Sequence, residues 1–164
     1  MLVLGIDPGS RAAGYGLVEA DGNRLTAVDY GIVKPPHTKE SSPRLKWIFE
    51  QFSKIVKEYR PDEVAVENVF YAKNVRSSLL LGQARAAACL PSLLAETPLH
   101  EYSALEVKKA LTGGGRAEKS QVADMVCRLL SLKETPKPDD VTDSLAVAIC
   151  HIHSSAQIRR FAAG

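Results

Sequence analysis

Two short apolar runs in this chain each stop on a carboxylate: Leu-Val-Leu-Gly-Ile ends at Asp7, and Val64-Ala65-Val66 ends at Glu67. Continuous apolar runs of this length suit strands buried in the middle of a sheet. A carboxylate that closes such a strand stands where the chain leaves the core, and near the core it is costly without a partner. The intervening segments predict how the two are brought together. Residues 14–19 and 25–33 read as further strands joined by the turn Asp21-Gly22-Asn23, so the first three strands form an antiparallel meander. A polar, proline-rich connection over 34–43 leads into a helix through a Ser-Pro start. Leu45, Ile48, Phe49, Phe52, Ile55, Val56 and Tyr59 mark that helix by their spacing, with Trp47 at the edge of the stripe. After the fourth strand, 63–67, come a helical stretch over 75–96 with Pro91 as a kink or break, and a short fifth strand over 99–102. Helices over 104–111 and 118–132 and a last helix from 140 to about 153 complete the chain. The fold class expected is α/β, a mixed five-stranded sheet flanked by helices. A right-handed crossover sets the fourth strand beside the first. Asp7 and Glu67 then lie at neighbouring carboxyl ends, where open α/β sheets keep their sites.

The last helix has to deliver Asp140 and Asp143 to the same edge. Spaced i, i+3 on its first turn, they share a face offset from the apolar stripe of Val141, Leu145, Ala148 and Ile152. Each acid has an ordinary explanation. Asp7 in Asp-Pro-Gly can bond its own turn, Asp140 and Asp143 can cap a helix, and Asp139 stands beside them. Taken together, four convergent carboxylates repel one another unless cations intervene. An all-oxygen donor set with no Cys or convergent His favours Mg²⁺ or Mn²⁺ over zinc. Two such ions can activate a water against a phosphodiester and stabilise the leaving oxygen.

At 164 residues the chain is read as one domain over 1–155 with a short tail over 156–164. Apolar content of 45% and charged content of 24% fit a soluble globular protein, and no apolar run approaches a membrane span. The start, Met-Leu-Val-Leu-Gly-Ile-Asp, lacks the basic n-region of a signal peptide. Cys89, Cys127 and Cys150 are widely spaced and odd in number, and read as buried thiols in a reducing cytoplasm. A net charge of +2 does not by itself distinguish a nucleic-acid binder from an ordinary solvated surface. Its distribution says more, because Arg11, Lys73, Arg76, Arg85, Lys108, Lys109, Arg116 and Lys119 fall in or beside the loops and helix ends around the acids.

Several stretches, taken in order, resemble one family. They are Gly5-Ile-Asp-Pro-Gly-Ser-Arg11, Gly14-Tyr-Gly16, Glu67-Asn-Val-Phe-Tyr-Ala-Lys-Asn74, Leu81-Gly-Gln-Ala-Arg85, Glu118-Lys-Ser-Gln121 and Asp140-Val-Thr-Asp-Ser-Leu-Ala146. The resemblance is to the RuvC family of bacterial Holliday-junction resolvases, and it spans nearly the whole chain. It implies an RNase H-like fold, a homodimer, and paired nicks in four-way junction DNA at a Mg²⁺- or Mn²⁺-dependent site. Asp7, Glu67, Asp140 and Asp143 match the family's acidic quartet, with a histidine in some members where Asp140 stands. Lys108 and Lys119 match basic positions near the cleaved strand. By the same resemblance Phe70, otherwise a core aromatic, is a wedge against an unpaired base. Tyr71, Lys73, Asn74, Arg76, Arg85, Arg11 and Arg116 join it as expected DNA contacts, and a branch-migration motor of the RuvA and RuvB type is an expected partner.

Other features lead elsewhere. Gly113-Gly-Gly-Arg-Ala-Glu-Lys-Ser120 imitates a P-loop but has Glu118 in place of the last glycine. His151 and His153, two apart on a helix, face different sides and share no metal between them. An actin-like ATPase would need a second subdomain that this length does not hold. A related nuclease acting on RNA and a junction binder without catalysis are the remaining alternatives.

Overall fold

The computed structural model describes residues 1–37, 40–68 and 74–156, with the helical backbone of 157–162. Strand β1 (Leu2–Asp7) is central, and β2 (Ala13–Asp21) and β3 (Arg24–Val33) fold back beside it as the antiparallel meander. Gly22, at φ +57°, makes the turn between β2 and β3. Helix α1 (Ser41–Tyr59) crosses over to β4 (Glu63–Glu67), which pairs in parallel with β1. Helix α2 (Val75–Leu94) leads to β5 (Leu99–Tyr102), parallel to β4, and the sheet order is β3-β2-β1-β4-β5. Helices α3 (Ala104–Thr112), α4 (Lys119–Leu130) and α5 (Asp139–Ala162) complete the fold.

The pleat divides the core in two. Leu4, Ile6, Val64 and Val66 point to one face and bury Ile48, Phe52 and Val56 of α1 with Ala84 and Ala88 of α2. Val3, Val18 and Ala65 point to the other and bury Leu145, Ile149 and Ile152 of α5, backed by α3 and α4. Side chains alternate strictly along a strand. Asp7 therefore shares the face of Val3, and Glu63 and Glu67 share the face of Ala65, all three toward α5.

Two elements differ from the sequence reading. Helix α2 runs unbroken through Pro91. The proline sits in the last turn, so its missing N–H deprives only the Ala87 carbonyl of a helical donor, while Ala95 N–H still bonds the Pro91 carbonyl at 3.1 Å. Helix α5 continues to Ala162, beyond the end near His153 that the apolar spacing indicates. The three cysteines are free: Cys89 and Cys150 are buried and Cys127 partly so.

Candidate active site

The carboxyl ends of β1 and β4 are adjacent because the strands are parallel neighbours, Ile6 lying against Val66. Asp7 and Glu67 follow directly. What brings Asp140 and Asp143 to them is a stripe without side chains. Gly5 and Gly16 face each other across β1 and β2, and Gly14 faces Asp7. A Cβ on Gly5 would overlap the Ser144 carbonyl oxygen, one on Gly14 the Asp140 carbonyl, and one on Gly16 would meet Leu145 Cδ2 at 2.6 Å. Helix α5 thus lies directly on the sheet backbone over its first two turns. Glycines inside strands commonly mark such an approach. Here they fix the height at which both aspartates stand above the strand ends.

The electrostatics report the convergence. Burial first, then the charges of Asp143, Glu67 and Asp140, push the Asp7 carboxyl from 3.8 up to about 8. Glu67 is raised by its own burial and by Asp143, partly offset by Lys119 and Lys108. Lys119 Nζ lies 3.2 Å from Asp143 Oδ2, and that carboxylate raises the lysine in turn. Asp139 turns away: it is exposed, held by Lys137 at 3.1 Å and lowered by it. Glu67, Asp143, Lys108 and Lys119 line a cleft of about 90 Å³ floored by Val107, Val122 and Ala146. No three of the four carboxylates bring ligand oxygens within 4.8 Å of one another, as like charges dictate. A carboxyl that prefers to hold a proton because it is buried among other acids will exchange that proton for a cation. The donors are all oxygen, which fits a hard divalent ion.

The family model for crossover junction endodeoxyribonuclease RuvC matches residues 3–151, taking in all four acids. The chain belongs to the RuvC family. A RuvC of Heliobacterium modesticaldum is 52% identical over 155 residues, covering 94% of this chain and 95% of its own length. One of Citrifermentans bemidjiense is 51% identical over 155 residues, covering 94% of both chains. Among solved structures, Thermus thermophilus RuvC in complex with Holliday junction substrate superposes with a TM-score of 0.91 at 32% identity, covering 96% of each chain. The mixed five-stranded sheet with its helices is the RNase H-like fold of these RuvC structures.

The other residues singled out in the sequence are placed unevenly around this cleft. Lys108 and Lys119 stand on its walls. Arg11, Arg76 and Arg116 are exposed. Arg85 pairs with Glu101 at 2.8 Å, tying α2 to β5. Asn74 caps α2, its Oδ1 accepting the Ser77 N–H at 2.9 Å. Phe70, Tyr71 and Lys73 lie outside the described residues. Sequence reasoning missed the positioning role of Gly5, Gly14 and Gly16. Their every-other-residue spacing in paired strands was the signal available.

Proposed function

We infer that this chain is a structure-selective DNA endonuclease that resolves Holliday junctions by paired symmetric nicks, hydrolysing phosphodiester bonds with divalent metal in recombination and DNA repair. The observation that carries this reading is the convergence of four carboxylates from three elements on one sheet edge, in a chain related over 94% of its length to crossover junction endodeoxyribonucleases. Asp7, Glu67, Asp140 and Asp143 act as the metal ligands. Their oxygen-only character supports Mg²⁺, two ions to a site, with Mn²⁺ as a substitute. Bound there, the ions supply an activated water and neutralise charge on the leaving oxygen.

The chain's own groups do the rest. Asp7 would give up to solvent, as a cation binds, the proton that its buried, anionic surroundings favour. Lys119, already beside Asp143, and Lys108 across the cleft hold the scissile phosphate by charge. Arg11, Lys73, Asn74, Arg76 and Arg116 grip the junction arms, while Phe70 and Tyr71 meet its unpaired bases; Arg85, expected among these contacts, is instead half-buried and paired with Glu101. The working unit is a homodimer in the cytoplasm, beside a branch-migration motor of the RuvA and RuvB type.

Incubation of the protein with a synthetic four-way junction in Mg²⁺ tests the reading, with linear duplex and an RNA–DNA hybrid as controls. Symmetric nicks confined to the junction are expected. Preferential cutting of the hybrid would reassign the substrate to RNA, and tight junction binding without any nick would remove catalysis from the function.

A further inference from the structure

A second cluster of ionisable side chains gathers at the other end of the same strand and helix. Glu63 opens β4, His100 lies in the edge strand β5, and His151 lies on α5 beyond Asp143. By strand rise Glu63 is about 13 Å from Glu67, and by helical rise His151 is about 12 Å from Asp143. The cluster is therefore separate from the acidic edge.

Its geometry is tight. His151 Nε2 lies 2.6 Å from Glu63 Oε2 and His100 Nε2 lies 3.0 Å from the same oxygen. The two imidazoles stack with centroids 4.4 Å apart at 26°. Among the described residues, these are the three His, Cys, Asp or Glu side chains whose ligand atoms all come within 4.8 Å of one another. A simple hydrogen-bond network explains the arrangement incompletely. His100 Nε2 is buried at the atom and completes no hydrogen bond, although the Glu63 oxygen is so near. Two stacked rings also cannot both be charged at this distance without repulsion.

A cation among the three donors accounts for the convergence. Two imidazole nitrogens and one carboxylate oxygen form the donor set of zinc and of the late first-row divalent ions, unlike the all-oxygen edge. Metal-bound imidazoles ordinarily have an outer partner on their other nitrogen. His151 Nδ1 has one in the Tyr102 hydroxyl at 2.7 Å. Without an ion, His151 Nε2–H donates to Glu63 at 2.6 Å and Nδ1 accepts from the Tyr102 hydroxyl. With a cation on Nε2, the ring proton would sit on Nδ1 and donate to Tyr102. His100 Nε2 itself is buried, but the rest of the side chain is 42% exposed, so the ring can turn outward to admit an ion and a water in a fourth position.

We propose that Glu63, His100 and His151 bind a zinc-like divalent cation that clasps β4 and the edge strand β5 to α5, the helix that carries Asp140 and Asp143. Zn²⁺ is titrated calorimetrically into the full chain in millimolar Mg²⁺, which occupies the acidic edge. One Zn²⁺ per chain and a raised Tm are expected, and both effects should vanish in His100→Ala. His100→Gln, which preserves size and polarity, is the second variant should the alanine protein melt early in chelator. Co²⁺ reports the ligands directly. Imidazole-bound, four-coordinate Co²⁺ absorbs strongly in the visible, and an oxygen-only, six-coordinate ion absorbs weakly. Absence of saturable binding at micromolar Zn²⁺, or binding that persists in the folded His100 variants, overturns the proposal. So does binding that is lost in Asp143→Asn and kept in His100→Ala, which would place the ion among the carboxylates.

Discussion

Asp7 shows how one residue couples folding to chemistry. Its carboxyl is raised to about 8, first by burial and then by three neighbouring acids. Between the ordinary value of 3.8 and that figure, the folded chain holds a proton that the unfolded chain has released. The stability this group contributes is therefore full below the unfolded value and is lost as pH rises through about 8. Metal-free protein should melt lower at about pH 9 than at about pH 6. Asp7→Asn should shrink that slope and raise Tm in chelator at the higher pH by about 2–4 °C, on the order of 1 kcal/mol for a chain of this size. The same variant, and Glu67→Gln, should bind junction DNA and fail to nick it. Near-normal nicking by either in Mg²⁺ would sink the metal-ligand assignment. Lys108 and Lys119 make a separate prediction. If each meets a phosphate, alanine at either should lower the slope of log affinity against log salt by about one unit. Unchanged slopes in both would make them solvated helix residues.

At the scale of elements, the site depends on how closely α5 approaches the sheet, which sets a gradient of expected damage. A methyl at Gly14 meets the Asp140 backbone, which cannot yield without lifting the first turn of α5. A methyl at Gly16 meets mainly the Leu145 side chain, which can rotate. Gly14→Ala should thus cost nicking severely, with a stability loss of about 1–3 kcal/mol, and Gly16→Ala should cost less on both measures. Junction assays beside thermal melts check this, and equal damage from both would argue against a backbone-set height for the acids. The acidic edge was legible in the sequence because each member closes or opens a periodic element: Asp7 and Glu67 end apolar runs, and Asp140 and Asp143 share a helical face. Glu63, His100 and His151 carried no such signal. They come from three elements and meet only through the pairing of β4 with β5 and the length of α5. Spacing could separate His151 from His153, and it did: His153 Nδ1 lies 3.3 Å from the Ala110 carbonyl, away from the cluster. It could not show that Asp139 is held outward by Lys137, nor that Pro91 sits late enough in α2 to leave the helix intact.

At the scale of the whole molecule, a four-way junction has two-fold symmetry, and paired nicks on strands of like polarity call for two sites related in the same way. Composition, helped by the family resemblance, points to the helix read over 75–96 as the dimer face, with Leu79, Leu80, Leu81, Ala84, Ala87 and Ala88 as its apolar content. Packing reassigns part of that set. Ala84 and Ala88 are buried in the chain's own core against α1. The large apolar side chains that α2 leaves exposed are Val75, Leu79, Leu90, Leu93 and Leu94. Leu79, Gly82, Ala86, Leu90 and Leu93 recur at three- and four-residue steps along one side of the helix, and a Cβ on Gly82 would meet open space. Such a stripe of large residues around small ones suits a second helix approaching closely. Leu90→Glu should therefore leave the fold intact, since the side chain is exposed, and convert a dimer to a monomer in sedimentation. On a cruciform plasmid the wild-type protein should yield linear product from paired nicks, while the variant should stall at the open circle. A wild-type monomer at micromolar concentration, free and on the junction, would overturn the dimer. A Leu90→Glu protein that still sediments as a dimer would move the interface off this face of α2.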